Sequence, residues 1–320
     1  MVFAAIPFAG EIAGLGAATC WATCALAFAV ASRQIGASAV NLLRMPPAIA
    51  LLGAIHLFAF GELWPSAVTA SQVIWLAVSG FIGIALADLF LFHCLALIGP
   101  RLGELVMTTA PVATALLAWP ILGESLSVRG ILGITVTLAG VVLVLTDRCG
   151  NNAWRSLARR RTEGIVAGLL AGVGQGTGLV LAKLGMNVSG SGQFMPPEGL
   201  LATTPLDPLS ATLVRVVAGA IGIWAIAGLH GDLGRAFQAV RNRKAIRVIS
   251  LATVLALLGV WLSLVSVSHT KAGISATLMG VSPILALPLA YVAYGDRPGR
   301  TAITGTFVAV LGVSCLFLAR

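Results

Sequence analysis

About ten times along this chain an apolar run of roughly 18 to 24 residues is closed off by a short polar break, and each run can cross a ~30 Å hydrocarbon layer as a helix. The runs lie near residues 9–31, 41–60, 73–97, 103–122, 129–147, 164–184, 208–229, 246–268, 272–293 and 300–319. They use up almost all of the 320 residues, so little is left for a water-soluble domain. Composition agrees: 58% of residues are hydrophobic, 10% are charged and the mean hydropathy is +0.99, far outside soluble globular domains. The expected fold class is an all-α integral membrane protein with about ten transmembrane helices.

Met1 to Gly10 carries no Lys or Arg ahead of the first run and no clear cleavage site, so that run is expected to stay in the mature protein. Five cysteines make an odd count, and Cys20, Cys24, Cys94 and Cys315 fall inside apolar runs where cysteine packs as a small hydrophobe. Cys20 and Cys24 share a helix face but have no His or acid near them in sequence, so neither a disulfide framework nor a metal site is expected. The formal charge of +9 comes mostly from arginines between spans. Retention of those loops in the cytoplasm explains them better than a nucleic-acid partner.

Residues 99–147 laid over 271–319 pair Pro111 with Pro283, Gly123 with Gly295, Glu124 with Asp296, Gly133 with Gly305 and Gly140 with Gly312 at one constant offset. The beginnings of the halves echo each other too. Glu11 and Glu163 each open a helix with a small residue at every fourth position: Gly10, Gly14, Ala18 and Ala22 in the first, Gly164, Gly168, Gly172 and Gly176 in the second. Such stripes let helices approach closely. The chain is thus expected to divide into a repeat over 1–147, a basic cytoplasmic linker over 148–162 and a second repeat over 163–320. Five spans per repeat is odd, so the second repeat enters the membrane from the opposite face, the inverted-topology arrangement of many secondary transporters.

Lys and Arg concentrate in the loops after the odd-numbered spans, chiefly Arg148, Arg155, Arg159, Arg160 and Arg161, then Arg235, Arg241, Arg243, Lys244 and Arg247. The longest loop on the other side, about residues 186–207, has none. The charge rule therefore places both termini outside the cytoplasm. The Ala-, Gly- and Arg-rich composition suggests a bacterial inner membrane.

The stretch from Gly80 to Leu145 contains Pro111 within a small-residue helix, then the Leu122-Gly123-Glu124 turn, then the Gly133/Gly140 helix. It resembles the EamA repeat of the drug/metabolite transporter superfamily, and the second half is similar, with Ser282-Pro283 and Gly295-Asp296 in the matching places. The resemblance covers nearly the whole chain. It departs at Asp296, where the repeat more often has Glu, in the loop before the seventh span, and in orientation, since relatives usually keep both termini in the cytoplasm. It implies a secondary transporter of a small metabolite or drug that works by alternating access, with export as the expected direction and no soluble cofactor.

Individual residues suggest where that chemistry sits. Pro111 and Pro283 each remove a backbone donor inside a span and free the carbonyls of Met107 and Met279, a hinge or substrate-facing carbonyl on one reading and an ordinary kink on the other. Asp88 is the ionisable group deepest in a span, where a lone charge costs on the order of 2.5–3.5 kcal/mol. Arg44, read as one turn into the second span, starts from the same membrane face. The two form either a structural ion pair or a site for a coupling proton or substrate amine. Trp21, Thr23, Gln175, Thr177 and Trp261 are the candidate cavity-lining residues, although in-span hydroxyls often bond their own helix. Glu11 and Glu163 are expected to be solvated at the interfaces, and Glu124 and Asp296 to organise turns. His93 and His269 show no partner in the sequence.

Three other classes compete, one of them a channel, which would need a continuous ring of like charges or carbonyls that is not apparent in the sequence. A non-transporting multi-pass subunit or sensor fits a repeat equally well. A membrane-embedded enzyme would need a motif such as His-Glu-x-x-His, Gly-x-Ser-x-Gly, a phosphate-binding loop or paired intramembrane aspartates, and none is present. The partners expected are a small-molecule substrate, the lipid bilayer and a coupling proton.

Overall fold

The computed structural model describes residues 7–146, 158–187, 205–285 and 299–317. Among the described residues there is no strand, and six helices are long and apolar enough to cross a membrane, with three shorter apolar ones beside them. The chain is an all-α membrane protein. In order the helices are α1 (Ala9–Ile35), α2 (Ala37–Leu43), α3 (Met45–Phe60), α4 (Ala70–Gly80), a π-helical stretch Phe81–Leu86, α5 (Ala87–Met107), α6 (Thr109–Leu122), α7 (Val128–Thr146), α8 (Ala158–Met186), α9 (Pro208–His230), α10 (Leu233–Ala239), α11 (Arg243–His269), α12 (Ala272–Met279) and α13 (Arg300–Phe317). Local chemistry sets several of these limits. The Gln72 amide donates to Thr69 Oγ1 and the Thr69 amide to Gln72 Oε1, a capping box that starts α4. Asp207 caps α9 ahead of Pro208, and Gly61, Gly123 and Gly231 close α3, α6 and α9 in the left-handed conformation.

Gly168 of α8 lies against both Cys94 and Val106, so the chain reverses direction between those two residues and α5 carries the hairpin between the third and fourth spans. The ring of Phe8, just before α1, lies 5.4 Å from that of Phe317 at the end of α13. The two ends of the bundle therefore share one face, as an even number of crossings requires. We call this the terminal face.

The seam between α7 and α13 shows the pseudo-two-fold directly. A Cβ on Gly140 would overlap the Ala309 backbone, and a Cβ on Gly312 would overlap the Thr137 backbone. Ala309 and Thr137 are themselves counterparts at the offset that relates the repeats. The same holds outward along the seam: a Cβ on Gly133 would sit 3.1 Å from the Leu316 nitrogen, and one on Gly305 2.8 Å from the Val144 nitrogen. A symmetric interface has this reciprocity.

The small-residue stripes of α1 and α8 do not hold each helix within its own repeat. Gly10 and Gly14 seat α1 on Thr270, Ser266 and Leu278 of the second repeat. Gly164, Gly168, Gly172 and Gly176 seat α8 on Leu97, Ile98, Cys94, Val106, Thr109 and Thr114 of the first. The two repeats of the sequence are thus interlocked in space by exchange of their first helices. Two expected boundaries shift. Helix α8 starts at Ala158, so the last residues assigned to the linker are helical, and α2 starts at Ala37, which puts Arg44 two turns into the second span. Asp296, Gly295, Trp154, Arg148, Arg155 and Cys149 lie outside the described residues.

Candidate functional site

Span four breaks at Thr108 and span nine at Gly280, each three residues ahead of its proline, Pro111 and Pro283. A proline has no N–H for the carbonyl four residues back, and here the helix yields one residue beyond that carbonyl. The two breaks also touch across the pseudo-two-fold. A Cβ on Gly280 would lie 3.3 Å from the Pro111 ring, whose side chain is buried. The structure thus brings one predicted hinge against the other.

The third span places the charged cluster. Gly80 and Gly83 let α9 and α8 come within backbone distance: a Cβ on Gly80 would overlap the Arg215 carbonyl, and one on Gly83 would sit 3.0 Å from the Gly178 Cα. Ser79 Oγ donates to the Gly178 carbonyl at the same crossing. Between these contacts and Asp88 the helix widens into the π stretch, with the Ala87 amide bonded to Ile82 five residues back. A π turn holds one residue more than an α turn and so turns the following side chains by about 100°. That rotation sets the direction of Asp88.

Arg44 Nη2 and Asp88 Oδ2 form an ion pair, with side chains 20% and 15% exposed. Arg44 Nε donates to Asn41 Oδ1 at 2.8 Å, and the guanidinium lies 5.9 Å from the centre of the Phe28 ring. Arg44 sits on the break between α2 and α3, ahead of Pro46 and Pro47. The pairing expected from sequence is present, and a further buried charge stands beside the same stretch of the third span. Arg215, two turns into α9, is 6% exposed, and a Cβ on Gly83 would lie 2.9 Å from its Nη2. Its Nε has no hydrogen-bond partner, and the acid whose charge acts on it is Asp88. A signal for Arg215 does exist in the sequence. Asn41-Leu42-Leu43-Arg44 recurs as Thr212-Leu213-Val214-Arg215, so the two arginines are repeat counterparts entering from opposite faces.

A second polar group lies at the terminal face. Lys183 Nζ lies 2.6 Å from Glu124 Oε1 and donates to the Thr270 carbonyl at 2.7 Å. Glu124 Oε2 accepts from the first amide of α12, Ala272 N, at 2.7 Å, and the Thr270 hydroxyl donates to Glu11 Oε1 at 3.4 Å. Two expectations are corrected here. Glu11 is 1% exposed rather than solvated, because α1 seats it against the α11–α12 junction. Glu124 caps a helix of the opposite repeat rather than organising its own turn. Glu163 is exposed as expected, but it partners His93 at 3.0 Å, and His269 Nδ1 lies 2.8 Å from Ser268 Oγ, so neither histidine is alone.

Trp21 packs on an apolar cluster that gathers Ala17, Leu76, Leu179, Leu264 and Met279 from five helices, and its Nε1 would lie 2.5 Å from a Cβ on Gly259. The hydroxyls of Thr23 and Thr177 donate to the backbone carbonyls of Thr19 and Val173, so their protons are spent on their own helices. Gln175 and Trp261 are half-buried. Among the described residues no three His, Cys, Asp or Glu side chains cluster as metal ligands.

Among curated proteins none matches the chain significantly. A crystal structure of a protein superposes on it with a TM-score of 0.72, over 98% of each chain and at 19% sequence identity, which shows a shared fold. The model of the EamA-like transporter family matches residues 8–146 and again 162–318, one match per repeat. With the inverted repeat visible in its packing and the family pattern covering both halves, the chain belongs to the EamA-like transporter family.

Proposed function

We propose that this protein is a secondary transporter that exports a small organic molecule by alternating access, in the inner membrane of a bacterium, with both termini outside the cytoplasm. The observation that carries the reading is the meeting of the two helix breaks at Pro111 and Gly280. A paired interruption on a pseudo-two-fold, between repeats locked together by α1 and α8, gives the bundle a pivot about which its two faces can open in turn. The Glu124–Lys183 pair, joined to Thr270, Ala272 and Glu11, forms the bar across the terminal face. Asp88, paired with Arg44 toward the other face, is the group assigned to the coupling proton.

Cysteine accessibility tests the mechanism without knowledge of the substrate. In a background with the native cysteines replaced, Thr270→Cys reports on the terminal face and Ser38→Cys on the other. With Glu124→Gln added to loosen the bar, labelling of Thr270→Cys by a membrane-impermeant maleimide is expected to rise. Labelling of Ser38→Cys is expected to fall. Accessibility that rises at one face and stays unchanged at the other would contradict alternation.

A further inference from the structure

Two arginines, Arg44 and Arg215, flank the stretch of the third span that carries one carboxylate, Asp88, and the balance of charge is uneven. Arg44 is matched by Asp88 and held by Asn41. Its repeat counterpart Arg215 has no matching acid: the span that corresponds to the one carrying Asp88, Arg243–His269, holds no Asp or Glu. Arg215 is more than nine-tenths buried, its Nε is unpartnered, and its Nη2 lies against Gly83 in the π stretch that leads to Asp88. A buried cation is costly without an anion beside it, and one shared carboxylate leaves an excess of one positive charge. The side chains of the Arg44–Asp88 pair keep 20% and 15% of their surface exposed. A guanidinium presents its donors as a planar fork suited to carboxylate and phosphate oxygens.

We propose that the Arg44–Asp88–Arg215 cluster recognises the anionic end, a carboxylate or phosphate, of a water-soluble small molecule. This rests on the transporter reading and names the substrate class for it. Asp88 then acts as the resident anion with which the incoming group competes for the arginines.

The full-length protein in nanodiscs of phosphatidylcholine can be titrated with benzoate, 3-phenylpropionate and glutarate, each beside its uncharged amide, and with inorganic phosphate, while Tm is followed. At least one anion is expected to raise Tm while its amide does not. Arg215→Gln is expected to weaken that anion by about thirtyfold or more, and Arg215→Lys by less. Asp88→Asn is expected to tighten it, because the competitor loses its charge; a merely structural Asp88 would not do so. Arg241→Gln, on an exposed loop, should leave it unchanged. If Arg215→Gln fails to fold, the Lys and Asp88→Asn variants carry the test.

The proposal is overturned if no anion stabilises, if amides do as well as carboxylates, or if affinity is indifferent to Arg215 and Asp88. It is also overturned if added phosphatidylglycerol abolishes the effect, since a lipid headgroup would then be the occupant. Counterflow in proteoliposomes separates the two readings. Anion binding without counterflow removes transport and leaves the site, whereas counterflow of a neutral or cationic solute without anion binding removes the site and leaves transport.

Discussion

Lys183 of α8 and Glu124 at the end of α6 lie 2.6 Å apart with side chains 5% and 6% exposed, and the same carboxylate caps α12 of the opposite repeat. A buried pair of this kind is far more sensitive to loss of one member than to loss of both. Glu124→Gln or Lys183→Met alone is expected to cost about 3–5 kcal/mol, and the double variant Glu124→Leu/Lys183→Met less than either. Unfolding in a detergent series, run as a double-mutant cycle, measures this, and additive losses would refute it.

The paired breaks carry a prediction about motion rather than stability. Pro111→Ala and Pro283→Ala restore a backbone donor at each interruption. They are expected to keep the protein folded and to suppress the exchange of accessibility between the two faces. Normal transport by both variants would end the hinge idea.

At the α7–α13 seam there is no room for a side chain at Gly140 or Gly312. Gly312→Leu is expected to destabilise by about 1–3 kcal/mol or more through overpacking against Thr137, and Gly140→Leu by a similar amount, because the two sites are equivalent. Gly234→Ala, in open space, serves as the control and should stay near wild type in Tm.

Asp88→Asn removes the acid shared by Arg44 and Arg215. With Asn41 still bonded to Arg44, the variant is expected to fold and to lose gradient-driven accumulation while counterflow persists. Accumulation at the wild-type level in a folded sample would rule out a coupling role for Asp88.

Orientation is testable by fusion. A reporter active only in the cytoplasm, attached after Arg320, is expected to remain silent, and one placed in the loop between α9 and α11 to give signal. The reverse pattern would show that the arginine count misleads here.

Several features were legible in the sequence because they depend on local periodicity. Span lengths follow from the thickness of the bilayer, the repeat from a constant offset between prolines and glycines, and the stripes on α1 and α8 from small residues at helical spacing. The Arg44–Asp88 pair was legible for a similar reason: two opposite charges entering from one face of the membrane have few other ways to be neutralised. Arg215 was less so. Its motif matches that of Arg44, but its burial depends on Gly80 and Gly83 lying opposite it in another span. The reversal of Glu11, from an expected interfacial group to a buried one, has the same origin, because its cover comes from Thr270, far along the chain.

That this chain spans a membrane as two inverted repeats follows from its residues alone, since hydrophobic length and internal periodicity are properties of each segment. The exchange of α1 and α8 between the repeats, the meeting of the two helix breaks and the pairing of Glu124 with Lys183 come instead from packing in three dimensions. Each of these depends on which helices come within a few ångströms of one another. That choice is made by glycine-lined crossings between segments remote in sequence, where the gain is close packing and matched polar groups rather than any pattern within a single helix.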